Sequence, residues 1–239
     1  MFHTIIDGII ESDIFETIRT VSRPVIPSPK KIYLEKEIPG RAKLIEDLEE
    51  YEDIEIDVNF NFIDNYNITL NKLKKAIYKA KKLTFTDMYN KYFVIKKVEF
   101  TDEERNVLEI GRCTVKFTVD PYQYFLEGED EILESEGEIS SFTILNKFEL
   151  AYPIINLYGE GRIRINMNGN FAEINISGKT SIDTNKYIEA CFREDGEIYN
   201  LTKGKYSELV LKEGRNRISI EALSGTLNSC GIIPNWRTI

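Results

Sequence analysis

Histidine is nearly absent: His3 is the only one in 239 residues. Its place at the terminus leaves no imidazole to polarise a serine or cysteine, so Ser/His/Asp and Cys/His relays cannot be built, and a zinc site loses its commonest nitrogen ligand. Cysteine is scarce too. Cys113, Cys191 and Cys230 stand far apart in no CxxC pair and no even-numbered framework, and read as free thiols of a reducing cytoplasm. Cys113 and Cys191 lie in apolar stretches that suit burial as small hydrophobes. No GxxxxGK[ST] occurs and no GxGxxG follows a strand, so phosphate-cradling loops are missing and Gly159-Glu160-Gly161 reads as a turn. No apolar run approaches the ~18 residues of a membrane span, and the N-terminus lacks the basic-then-apolar pattern of a secretory signal. These absences point away from an enzyme, from a metal or cofactor site and from the membrane.

What is present is acid and aromatic. Asp and Glu number 40 against 31 Lys and Arg, for a formal charge of −9 and a pI near 5.0. Such a surface repels phosphate backbones and anionic lipid, so neither nucleic acid nor a membrane surface is expected as a partner. Hydrophobic content of 42%, with Tyr and Phe at 13 each, is that of a globular chain, and at roughly 150 residues per domain the length suits two domains.

Along the chain, Ile32, Leu34 and Ile38 alternate with Tyr33, Glu35 and Glu37 at the period of a half-buried strand, which Pro39-Gly40 ends. A short acidic segment, 44–51, follows. Ile54, Ile56, Val58, Phe60 and Phe62 then alternate without a break against polar residues, the clearest strand in the sequence. Leu70, Leu73, Ile77 and Ala80 keep helical spacing, with Asn67 or Thr69 available as N-cap, so a short helix is expected near 69–82. Six lysines on its outer face read as solvation rather than a nucleic-acid patch, since no stacking platform accompanies them. Strands are expected at 92–100 and 112–119, the second broken by Asp120-Pro121 because proline has no N–H to donate. The acidic run Glu127 to Glu138 reads as a self-repelling loop at a domain boundary or hairpin tip, without the ligand spacing of a calcium loop.

The remainder is all short strands: 142–149, 154–158, 162–166, 171–177, 187–192, 207–211 and 217–222. Asn168-Gly169 supplies a type I′ hairpin turn and Glu213-Gly214 a similar break. Many short strands without helical period indicate an antiparallel sandwich. Two functional alternatives belong to such a sandwich: a carbohydrate-binding protein using exposed aromatics, and a glycosidase using a carboxylate pair, although no pair is singled out by spacing.

The order of several motifs resembles the distal tail protein (Dit) family of long-tailed bacteriophages and prophages. The resemblance runs through Arg23-Pro24 with Pro27 and Pro29, Ile38-Pro39-Gly40-Arg41, the strand at 54–62 and its helix, and Leu83-Thr84-Phe85-Thr86-Asp87 with Tyr92-Phe93. It continues through Val115 to Tyr122, ending in Asp120-Pro121-Tyr122, then Gly161 to Asn166, Ile182-Asp183, Leu209, Gly214 to Ile220 and Pro234-Asn235-Trp236-Arg237. Ala42-Lys43 stands where the family often has Asp-Gly, and Tyr78 where it often has tryptophan. The resemblance implies a mainly β protein of two β-sandwich domains: an N-terminal ring-forming one with a helix, expected at 1–140, and a galectin-like C-terminal one at 141–239. It implies a virion structural protein of the tail tip, assembled in the host cytoplasm as a homohexameric ring. That ring is a hub joining the tail tube protein to the tail-associated fibre or lysin protein, with receptor-binding proteins at its periphery in many phages. Pro39, Gly40, Arg41, Asp87, Asp120, Pro121 and Tyr122 are its motif positions here, structural rather than catalytic.

Overall fold

The computed structural model describes residues 2–239 apart from 15, 38, 39, 41, 64, 65, 108, 109, 135–138, 189, 194, 195, 199 and 200. The chain is mainly β and divides into two compact units, Met1–Gln123 with Ile239, and Tyr124–Thr238. The division thus falls upstream of residue 140, because part of the acidic run pairs into the second unit's sheet.

The first unit contains β1 (Thr4–Ile6), β2 (Ile9–Ile10), α1 (Glu11–Ile14), β3 (Ile18–Thr20), β4 (Lys31–Lys36), β5 (Leu44–Tyr51), β6 (Ile54–Ile63), α2 (Tyr66–Ile77), β7 (Lys82–Phe85), β8 (Lys91–Val107) and β9 (Ile110–Phe125). Its main sheet has the order β2-β1-β7-β8-β9-β6-β3. In β6, Ile54, Ile56, Val58, Phe60 and Phe62 are all buried, as their alternation requires. They share a core with Val115, Phe117 and Val119 of β9 and with Leu70, Leu73 and Ile77 on the inner face of α2. Each such side chain contributes about 1.5–3 kcal/mol by leaving water.

Several expectations for this unit need correction. Helix α2 starts at Tyr66 and ends at Ile77, so Asn67 and Thr69 lie inside it rather than cap it, and Lys82 already belongs to β7. Asp120-Pro121 does not break β9, which continues to Phe125. Pairing with β6 does stop at Ile54↔Val119, so the proline follows the last rung of that ladder, where its missing N–H leaves no gap in it. His3 is tied down: its backbone N–H donates to Thr86 Oγ1 at 3.1 Å, and its Nδ1 lies 3.0 Å from Glu11 Oε1. The fully buried Glu11 carboxylate also accepts from the Thr20 N–H and hydroxyl, each at 3.2 Å.

The second unit contains β10 (Ile132–Glu134), β11 (Ile139–Asn146), β12 (Ile154–Met167), β13 (Asn170–Asp183), β14 (Ala190–Arg193), β15 (Gly196–Ile198), β16 (Leu201–Gly204), β17 (Gly214–Ile233) and β18 (Arg237–Thr238). Its plan rests on three long strands. The first half of β17 pairs with β11 and its end with β10, while β12 runs beside it for its whole length. Likewise β13 pairs with β16 near its start and with β14 near its end. The long strands therefore pass from one layer of a sandwich to the other, with Ile155 and Leu157 meeting Ile163, Ile165 and Met167 across one core. Glycines mark the crossing. A Cβ on Gly161 would stand 2.2 Å from Ser224 O, and one on Gly225 2.0 Å from Glu160 O. Both residues have positive φ, and the register of β12 against β17 shifts on either side, as where strands bend between layers.

Gly159-Glu160-Gly161 is accordingly a bend inside β12 and not a turn, and the strands expected at 154–158 and 162–166 are one. Residues 206–208 form a 3-10 turn instead of a strand. Asn168 and Gly169 both have positive φ, the type I′ geometry that the sequence requires between β12 and β13. All three cysteines are buried thiols outside any disulfide, and burial pushes the Cys191 thiol up to about 11, which keeps it un-ionised and inert.

Candidate functional site

Among the described residues, strands β4 and β5 pair only with each other, as a two-stranded ribbon outside both large sheets. Residues 31–36, expected to be half-buried, are exposed or nearly so, and the short acidic segment 44–51 is a strand. The register Tyr33↔Asp47, Leu34↔Glu46, Glu35↔Ile45 and Lys36↔Leu44 puts Tyr33 and Ile45 on one face, and Leu34, Leu44 and Leu48 on the other. Tyr33, Leu44 and Ile45 are 51%, 50% and 59% exposed. The ribbon thus has apolar side chains on both faces and a core on neither.

Ion pairs hold the ribbon's own strands: Lys31 Nζ to Asp47 Oδ2 at 2.7 Å and Lys43 Nζ to Glu35 Oε2 at 3.1 Å. The hydrogen bond and charge of Asp47 hold the Lys31 ammonium above its usual range. Exposed pairs of this kind contribute little stability. They set register and leave the apolar residues uncovered.

Five of the seven motif positions read from the sequence are described, and two are outside the described residues. Pro39 and Arg41 are the two outside. Gly40, between β4 and β5, has φ +75° with nothing near a would-be Cβ, so backbone conformation alone selects glycine there. Asp87 receives the Arg23 Nε–H at 2.5 Å, joining the 3-10 turn at 86–88 to the proline-rich approach, whose Lys30 O accepts from Glu52 N–H at 2.8 Å. Asp120 Oδ1 accepts from the Tyr122 N–H at 3.1 Å, a local turn that orients the following residue. Its other oxygen faces Lys96 Nζ at 3.4 Å, and the same ammonium donates to Asp53 Oδ1 at 2.5 Å. Tyr122 meets Tyr51 edge-on with ring centroids 5.9 Å apart, and Pro121 is buried.

Asp120 and Tyr122 therefore grip the exit of the ribbon through Tyr51 and Asp53, with Lys96 of β8 between the carboxylates. Burial works against the Lys96 charge, but Asp53 and Asp120 outweigh it, so its pKa sits above the ordinary value. Lys96, Asp53 and Tyr51 carry no motif of their own. Only folding brings them to residues far away in sequence.

The second unit has a different charged cluster. Glu173 is clasped by Arg162, within hydrogen-bond reach, and by Arg164 at 2.6 Å, and Arg164 also faces Glu221 at 3.5 Å. The Glu173 side chain is only 1% exposed. Hydrogen bonds from Arg164 and then Arg162 overcome its desolvation and hold its pKa below the usual carboxylate range. A glycosidase acid needs the opposite shift, so Glu173 is a clamp between strands. Among the described residues, no group of three or more His, Cys, Asp or Glu is placed to hold a metal, and no helix is long and apolar enough to cross a membrane.

No protein-family model and no curated protein sequence matches the chain. Its structure is similar to the crystal structure of the Dit (gp 19.1) protein of phage SPP1, described as a paradigm of the hub adsorption apparatus in phages infecting Gram-positive bacteria. The TM-score is 0.55 at 15% identity, and the match covers 100% of this chain and 98% of that one. The resemblance first read from scattered motifs therefore extends to the whole fold, both units included.

Proposed function

We propose that the chain is a structural protein of a phage tail tip, a hub whose copies close into a hexameric ring. In this reading the first unit forms the ring and the second unit is galectin-like. The hub joins the tail tube protein to the tail-associated fibre or lysin protein, and receptor-binding proteins sit around it. It is made in the host cytoplasm and works in the virion.

The observation that carries the reading is the ribbon β4–β5. A lone two-stranded hairpin is marginal in water, and contiguous exposed apolar groups on a folded domain mark a surface that another molecule covers. Here the motif positions Asp120 and Tyr122 are spent on rooting that ribbon, a use that suits assembly and supplies no chemistry. The similarity to a hub protein over the full length of both chains supports the same role.

The test is the solution mass of the purified full chain by light scattering, with negative-stain images of the same peak. A six-fold ring is expected. A protein that stays monomeric with and without its neighbouring tail proteins, and that is absent from purified virions by antibody labelling, refutes the reading.

A further inference from the structure

We infer that the ribbon β4–β5 of one copy docks on the lysine-bearing face of α2 in a second copy. The inference rests on the ring reading and names the surfaces that would meet.

Charge is the first argument. Residues 31–53 carry eight carboxylates and four cations, a net −4, whereas residues 66–82 carry six lysines and no carboxylate. With −4 and +6 removed from the total of −9, the remainder of the chain is −11. The helix is thus the basic exception on an acidic protein and calls for an acidic counterpart. Shape and polarity agree. With Leu70, Leu73 and Ile77 turned to the core, the outer face of α2 and the turn after it exposes Lys72, Lys75 and Lys79 beside Ile68 at 49% and Tyr78 at 60%. Mixed apolar and cationic groups there match the mixed apolar and anionic groups of the ribbon.

The occupant follows from symmetry. The two surfaces differ from each other and sit on the same unit, so joining the ribbon of one copy to the helix of the next is a heterologous contact. Repeated around an axis it closes a ring and leaves neither surface bare. It also removes a ribbon edge that would otherwise be open to indiscriminate pairing.

Charge reversal in the full chain tests this. One variant carries Lys75→Glu and Lys79→Glu, the other Glu46→Lys and Glu50→Lys. Each alone is expected to need a protein concentration at least about tenfold higher than wild type to assemble. Mixed in equal amounts they are expected to recover the ring, with the two kinds alternating and present in equal numbers by native mass spectrometry, because each reversed surface then meets its complement. Thermal unfolding of each variant checks that it folds, and Lys75→Gln with Lys79→Gln supplies a milder version read as a weaker salt dependence of assembly. Reversed variants that assemble as wild type does, or folded variants whose mixture stays apart, overturn this interface and leave the ring standing. A wild-type chain that never leaves the monomer overturns the interface and the ring together.

Discussion

Two hairpins of the molecule are built from the same kind of sequence and end in opposite environments. Both β4–β5 and β12–β13 mix apolar with polar side chains, and both are antiparallel pairs. In β12–β13 Ile155, Leu157, Ile163, Ile165 and Met167 fill a core while Arg162, Arg164 and Asn166 face outward. In β4–β5 neither set of side chains finds a core. Apolar positions in a strand therefore do not by themselves report that the chain covers them. What separates the two is supply: β12–β13 is flanked by β17 and faces a second layer, whereas β4–β5 is held only at its root.

The comparison breaks most visibly in the core. Ile165→Ala is expected to cost about 2–5 kcal/mol in urea denaturation, the range for emptying a packed site, while Leu34→Ala on the ribbon stays within about 0.5 kcal/mol for the monomer. Equal losses would mean that the ribbon is buried in the free protein, and the argument for a covering copy would collapse. The bend of the second unit should be almost as sensitive. Gly225→Ala forces a Cβ onto Glu160 O at a positive φ, and about 2 kcal/mol or more is expected. A neutral result would show that β12 and β17 can separate there at no cost.

These sites also show how far the sequence could be read. The strand at Ile54–Phe62 and the Asn168-Gly169 turn were legible because each carries its own instruction, an unbroken alternation in one case and two positive-φ positions in the other. In the sequence, Gly159–Gly161 reads as a turn because a glycine pair signals only that the backbone is unusual, and whether the chain reverses or bends depends on the opposite strand, where Gly225 sits. The ribbon's root was half legible. Asp120 and Tyr122 stand in a recognisable local order, whereas Lys96, Asp53 and Tyr51 acquire their roles only through contacts made across the fold.

The root can be loosened without touching either core. Asp120→Ala removes the oxygen that orients the Tyr122 N–H and one of the two carboxylates at Lys96, and a loss of about 1 kcal/mol is expected. Pro121→Ala should do less to this network. The sharper readout is local: amide exchange over residues 44–53 should speed up in Asp120→Ala while that of β12 and β17 stays unchanged. Uniform change across the protein would contradict the picture of an appendage fixed at one end.

The smallest expected effect separates the two regions by pH. Glu173 has its folded-state pKa lowered by Arg164 and Arg162, so the folded form binds its proton more weakly than the unfolded chain does. Its contribution is therefore fully present above the unfolded carboxylate range, near pH 4–5, and is lost as pH falls through the lower folded value. Lys96 has a raised folded pKa, so its contribution is present below about pH 10 and is lost as pH rises through the folded value. Acid should accordingly weaken the second unit through Glu173, and strong base should loosen the ribbon's root through Lys96. Glu173→Gln should flatten the dependence of thermal stability below pH 5, and Lys96→Met the dependence above pH 10. If Glu173→Gln leaves the acid limb as steep as in wild type, the clasp does not govern it. The strand layers then hold by packing alone, and the arginines serve only to keep a buried carboxylate neutralised.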